Sequence, residues 1–280
     1  MHPAESIIRW LLAPRRLGIA DSFRPWPTAG EYRRGSERAC HLCTRVHAVL
    51  PPHVDDRPVA WLKFAAQARR PIHRIAEVST WLGSRPQLSP SGALRYEAHR
   101  IVQWRVSGLP APQLLAVGED YLLIADAGPT LIRWLAEDVS VARRLNLLER
   151  AAEALGRVHG AGFCHGDPLL RHIAYDGMRV TFLHLEEPPP ARMPPSFAQA
   201  RDMLRFLASA AGTLPRDRLA ACIRVLWTAY LRGKPSARTV QTLRCAFPLL
   251  RWFSRLSTLV PSAWLGCDAA RFLYVFRHAF

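Results

Sequence analysis

Leu155-Gly156-Arg157-Val158-His159-Gly160-Ala161-Gly162-Phe163-Cys164-His165-Gly166-Asp167 decides how the rest of this chain is read. Just upstream, Leu145, Leu148, Ala152, Leu155 and Val158 recur at helical spacing, so a helix with one apolar stripe runs into the stretch. Gly160 and Gly162 end it, because glycine readily takes the left-handed backbone that closes a helix. His165-Gly166-Asp167 follows at once. An imidazole and a carboxylate are thus delivered on a short loop directly off a helix end. Downstream come two short strands around a turn at Asp176-Gly177 and a proline-rich segment from Pro188 to Pro195. Helices are expected over about 197–212, 216–232, 236–258 and 262–278.

The half before this stretch has a different character. Residues 1–30 form no clear element. Residues 31–64 read as short strands, with Pro51-Pro52-His53-Val54-Asp55-Asp56 as a turn. Val59-Ala60-Trp61-Leu62-Lys63-Phe64 is mostly apolar, as suits a strand buried on much of its surface. Residues 91–107 form a helix with Ser91 as N-cap and Gly108 and Pro110 as the stop. Gln113–Val117 and Tyr121–Ile124 are strands, and Ala125-Asp126-Ala127-Gly128-Pro129 is a short link. The expected fold class is α+β in two lobes: an extension over 1–30, a small antiparallel-sheet lobe over 31–124, and a mainly helical lobe over 125–280. At about 150 residues per domain, a length of 280 agrees with two lobes.

Composition narrows the function. With 49% hydrophobic and 21% charged residues the chain is an ordinary globular one, not a disordered tail, a fibre or a coiled coil. Six cysteines are too few for a disulfide scaffold. Cys40 and Cys43 lack the second pair that a structural zinc site needs. No apolar run is long enough for a membrane span, and the order of charges at the start is wrong for a signal peptide, so a cytosolic location is expected. The net charge is +16, yet 36 of the 38 basic residues are arginine and they are scattered. No window alternates basic and aromatic residues, so nucleic-acid binding is not expected. An anionic membrane surface remains a candidate contact, given the charge and the apolar C-terminal helices. The two lysines, Lys63 and Lys234, stand out: lysine kept where arginine is the default suggests that the ammonium itself is needed.

The pattern L-x-x-x-H-x-x-G-F ahead of His165-Gly166-Asp167 resembles the catalytic loop of the protein-kinase-like fold. The likeness is to the His-Gly-Asp form of aminoglycoside phosphotransferases and bacterial lipopolysaccharide core kinases. That resemblance, over about residues 31–210, implies a bilobal kinase-like fold and transfer of the ATP γ-phosphate to a hydroxyl. It implies Asp167 as the base that takes the acceptor's proton. It implies Lys63 as the lysine that holds the α- and β-phosphates, with Glu97 orienting it. Ala125 and Ala127, in the hinge, are taken as nucleotide-binding. Asp202 sits where a later helix braces the catalytic loop in these families.

Two positions depart from the pattern. His172 stands where kinases carry a metal-binding asparagine, as it does in the lipopolysaccharide heptose kinases, and His184 occupies the slot of the metal-binding aspartate. Glu186 matches an acidic residue found two places later in the phosphotransferases. The resemblance therefore implies a divalent cation near His172, His184 and Glu186, and two imidazoles suit a softer ion than magnesium. The glycine-rich loop is reduced to Tyr32-Arg33-Arg34-Gly35-Ser36-Glu37-Arg38. Only 18 residues separate His184 from Asp202, which leaves no room for a protein-kinase activation segment. A sugar or other small-molecule acceptor, with lipopolysaccharide core as the preferred class, is expected. The competing reading is a catalytically impaired pseudokinase that serves as a binding module.

Overall fold

The computed structural model describes residues 44–49, 60–65, 89–137, 139–189 and 193–256. The expected strand region before residue 44, the turn over 51–56, Arg33, Arg34, Gly35 and Arg38, Cys40 and Cys43, and the helix expected over 262–278 lie outside them. The chain divides into two compact units, with the break between Ala127 and Gly128. The fold class is α+β: the first unit holds a small antiparallel sheet, and the second is mostly helical.

In the first unit, strands β1 (Thr44–Val49), β2 (Ala60–Ala65), β3 (Leu114–Val117) and β4 (Tyr121–Ala125) pair antiparallel in the order β1-β2-β4-β3. Helix α1 (Pro90–Val106) lies between β2 and β3 in sequence. Because side chains alternate along a strand, β2 serves two faces. Ala60 and Leu62 join Ala116 and Leu123 in one apolar cluster, flanked by Phe64 and Tyr121. Lys63 points to the other face and is opposite Leu122 of β4.

Helix α1 is capped by Ser89, not Ser91. The Ser89 hydroxyl accepts from the Gly92 amide at 3.0 Å and Pro90 takes the first helical position, where its missing N–H costs nothing. Ser91 instead donates to Asp120 Oδ1 at 2.9 Å. Two competing serines lie two residues apart, and the proline between them selects the earlier one. At the other end Leu109 N–H reaches the Trp104 carbonyl, Gly108 N–H reaches Arg105, and Gly108 has φ +69°. That is a Schellman closure. Ala93, Leu94, Glu97, Ala98, Ile101 and Trp104 form the buried stripe, so a carboxylate sits in the middle of an apolar face.

In the second unit come α2 (Leu131–Ala136), α3 (Val141–Gly160), a 3-10 turn (Leu170–His172), β5 (Ile173–Tyr175) and β6 (Val180–Phe182). Then follow α4 (Pro195–Ala211), a 3-10 turn (Arg216–Arg218), α5 (Leu219–Arg232) and α6 (Ala237–Leu256). The expected helix over 216–232 thus opens as a 3-10 turn. The short helix α2 was not foreseen, because six residues are too few for a periodic pattern to show. Leu148, Ala152, Leu155, Val158, Phe206, Ile223 and Leu226 are fully buried and make the core. Helix α3 repeats the Schellman closure: Phe163 N–H bonds the Val158 carbonyl, Gly162 N–H bonds His159, and Gly162 has φ +87°. The loop that carries His165-Gly166-Asp167 leaves from that closure.

Candidate functional site

In the first unit Lys63 and Glu97 are brought together. Lys63 Nζ donates to Glu97 Oε2 at 2.6 Å, and their side chains are 2% and 1% exposed. Strand β2 supplies the lysine from the face turned to α1, and the apolar stripe of α1 supplies the glutamate. Burying both ions costs several kcal/mol each, which their attraction offsets only with close geometry. Two apolar side chains of similar volume would serve the fold as well, so the pair points to something other than stability. The link that follows β4 is anchored nearby: Trp61 Nε1 donates to Asp126 Oδ1 at 2.6 Å, and Ala125 N–H bonds the Gln113 carbonyl. Ala125 ends β4 and Ala127 is the last residue of the unit.

The second unit holds the loop. Gly166 has φ +101°, and a Cβ there would stand 2.5 Å from the Glu187 carbonyl, so only glycine fits between His165 and Asp167. The Asp202 carboxylate of α4 takes the main-chain N–H groups of His165 and Gly166, both Gly166 contacts being 3.1 Å. Asp202 thus occupies the bracing place expected for it. Burial alone would raise its pKa. The imidazole of His159, whose Nε2 stands 3.5 Å from Oδ2, together with His165 and the Arg201 guanidinium nearby, outweighs that and holds the carboxyl below its usual range. His159 in turn meets the Tyr230 hydroxyl through Nδ1 at 2.7 Å, and burial followed by the Asp202 charge raises the Tyr230 pKa.

His165 is a hydrogen-bonding residue of the loop. The Asp167 amide donates to its Nδ1 at 3.1 Å, so that nitrogen is unprotonated and Nε2–H donates to the Leu183 carbonyl at 2.9 Å. Asp167 itself is flanked by guanidiniums. Arg205 Nε lies 3.1 Å from Oδ1, in ion-pair contact without hydrogen-bond alignment, and Arg171 Nη2 lies 3.7 Å from Oδ2. Arg201 and Arg205 also donate to the Gly166 carbonyl at 2.7 and 3.2 Å. These three arginines were missed in the sequence. Among 36 arginines nothing marks them, except that Arg201 and Arg205 flank Asp202 within one helical turn.

The expected metal ligands are neighbours. The His172 and His184 rings are 4.7 Å apart between centroids, and His184 Nδ1 lies 3.4 Å from Glu186 Oε1. His184 has φ +58°, a strained conformation for a non-glycine residue at a candidate site. The donor set does not fit a metal as it stands, since both nitrogens of His172 are engaged. Nδ1 meets the Asp167 carbonyl at 2.8 Å, and Nε2 accepts from Arg171 Nε at 3.1 Å. Among the described residues no group of three or more His, Cys, Asp or Glu side chains is arranged to hold a metal ion. Burial, then the charges of His184 and Arg171, push the His172 pKa well below 6.5.

No protein-family model matches the chain. Over 130 residues it is 25% identical to an uncharacterised protein of Haemophilus influenzae, a match covering 46% of this chain. The chain spans about half of that relative, 52% of its length. Among solved structures it is similar to the bifunctional kinase-methyltransferase WbdD, with 17% identity and a TM-score of 0.43. That similarity covers 76% of this chain and 46% of WbdD.

Proposed function

We propose that the chain is a kinase-like phosphotransferase that moves the γ-phosphate of ATP to a hydroxyl of a small molecule, with a sugar of the lipopolysaccharide core class as acceptor. The observation that carries this reading is the buried Lys63–Glu97 pair at 2.6 Å. A glutamate that fixes an ammonium in one orientation, at a cost in desolvation, is what a phosphate-holding lysine needs. In this reading Lys63 neutralises phosphate oxygens and Glu97 keeps it aimed. Asp167, on its Asp202-braced loop, accepts the proton of the attacking hydroxyl. Ala125 and Ala127 offer main-chain groups to the nucleotide. Most of the rate would come from positioning and charge neutralisation. His172 is occupied on both ring nitrogens and offers no lone pair to a divalent ion.

A second reading, a pseudokinase that binds nucleotide without transferring phosphate, is favoured by His172, whose ring nitrogens are both engaged within the protein. Thermal melting with ATP and Mg²⁺ or Mn²⁺ separates the possibilities. In the transferase, ATP raises Tm and Lys63→Met abolishes the rise. Asp167→Asn keeps the rise but loses product formation. A rise in Tm with no product on any acceptor selects the pseudokinase, and no rise with either metal rejects both.

A further inference from the structure

The geometry points to His172 being a positioning residue that fixes Arg171 beside the Asp167 carboxylate, and not a ligand of a metal ion. The phosphotransferase reading supplies only the use to which Asp167 is put. The hydrogen bonding stands without it. A histidine ligates through an unprotonated ring nitrogen whose lone pair is free to point at the ion. His172 Nδ1 lies 2.8 Å from the Asp167 carbonyl oxygen, which can only accept, so Nδ1 carries the proton. His172 Nε2 lies 3.1 Å from Nε of Arg171, a guanidinium that stays protonated and can only donate. The ring is therefore a single neutral tautomer with both positions spent.

The surroundings oppose a cation as well. An ion seeking Nε2 must displace Arg171 and then sit beside its positive charge. The carboxylate expected to complete the ligand set, Glu186, is turned to His184 Nδ1 at 3.4 Å. The ring itself is buried, with the His184 ring 4.7 Å away between centroids.

What His172 does follows from the same contacts. It ties the main chain of Asp167 to the side chain of Arg171. Arg171 Nη2 is thereby held 3.7 Å from Asp167 Oδ2, while Arg205 Nε stands 3.1 Å from Oδ1. The carboxylate is bracketed by two guanidiniums, one on each oxygen. Arg205 is anchored through the Gly166 carbonyl, and Arg171 is anchored through His172. Positive charge at this carboxylate is then supplied by protein side chains whose directions are fixed by neighbours.

The test uses the full chain labelled with ¹⁵N, with His172 assigned by comparison with His172→Gln. Long-range proton–nitrogen correlations are expected to show the neutral Nδ1–H tautomer, unchanged when Mn²⁺ or Mn²⁺ with ATP is added. The Arg171 Nε–H signal is expected to be protected from exchange in the wild type and lost in His172→Leu. Affinity for Mn²⁺ in the presence of ATP is expected to differ by less than about twofold in His172→Asn, against at least about tenfold for a lost contact to the metal. An Nε2–H tautomer, preferential paramagnetic broadening of His172, or a tenfold loss of Mn²⁺ affinity would each overturn the assignment. If Mn²⁺ with ATP does not bind the wild type at all, the phosphotransferase reading fails. The tautomer and the Arg171 signal still decide the role of His172.

Discussion

Truncating Glu97 to alanine removes the carboxylate 2.6 Å from the buried Lys63 ammonium. Removing one partner of a buried ion pair typically costs about 3–5 kcal/mol. Glu97→Ala is therefore expected to lower stability in urea by that amount. The paired replacement Lys63→Met with Glu97→Leu removes both charges and is expected to match or exceed the wild type. Such a protein would fold and no longer respond to ATP, which separates the pair's use from its structural cost. Asp202 behaves differently, because it is an acceptor for main-chain groups. Asp202→Ala leaves two buried amides, those of His165 and Gly166, without their carboxylate. Each unsatisfied amide costs about 1–3 kcal/mol, so Asp202→Ala is expected to be among the most destabilising single changes. His172 gives a pH signature. Its folded pKa lies well below 6.5, so below about pH 6.5 the unfolded chain binds a proton that the folded chain refuses. Stability is full above that pH and falls as pH drops toward the folded value. His172→Gln is expected to flatten this part of the curve when stability is measured by urea from about pH 8 to about pH 5.

Helices α3 and α5 approach through glycine. A Cβ at Gly156 would stand 2.2 Å from the Tyr230 carbonyl, and one at Gly233 would stand 2.3 Å from the Glu153 carbonyl. The obstacle is main chain in both cases, so it cannot swing aside. Gly156→Ala is expected to cost at least about 1–3 kcal/mol by overpacking, read as a fall in Tm of several degrees. A glycine inside a helix pattern normally signals only a weaker helix, so the sequence marks Gly156 without saying what it meets. The elements that sequence reading placed best are those with two independent signals. The apolar stripe of α3 and the Gly162 stop agree, as do the periodicity of α1 and the Gly108 stop, and both ends close as Schellman motifs. At the start of α1 two serines compete, and weighing Pro90 as a first-helical-position residue points to Ser89 rather than Ser91. Lys63 is legible as a lysine in an apolar strand of a chain that otherwise uses arginine, whereas Glu97 and Asp202 are reached only through the resemblance. Arg171, Arg201 and Arg205 are not legible, because an arginine in a chain of 36 carries no such contrast and its partners are set by tertiary folding. Whether His172 offers a lone pair also depends on Arg171, which no spacing rule reports.

At the scale of the molecule, the four-stranded sheet falls in the first unit and most of the helices in the second, while α1 and the β5–β6 pair depart from that division. The described part of the first unit has four strands. The net charge belongs to this scale too. A charge of +16 on 280 residues creates a potential that no single contact explains. Among the described residues no helix is long and apolar enough to cross a membrane. Attraction to an anionic leaflet is worth about 1 kcal/mol for each basic residue near it. Such attraction extends about a Debye length, roughly 10 Å at 0.1 M salt and 3 Å at 1 M. The protein is expected to sediment with vesicles that contain phosphatidylserine and not with pure phosphatidylcholine vesicles. Raising salt from about 0.1 M to about 1 M is expected to release it. Arg→Gln changes spread over several exposed sites should weaken binding in proportion to the charge removed, because the arginines are dispersed along the sequence. Equal sedimentation with neutral vesicles, or retention at high salt, would mean that apolar insertion and not charge holds the protein to the bilayer.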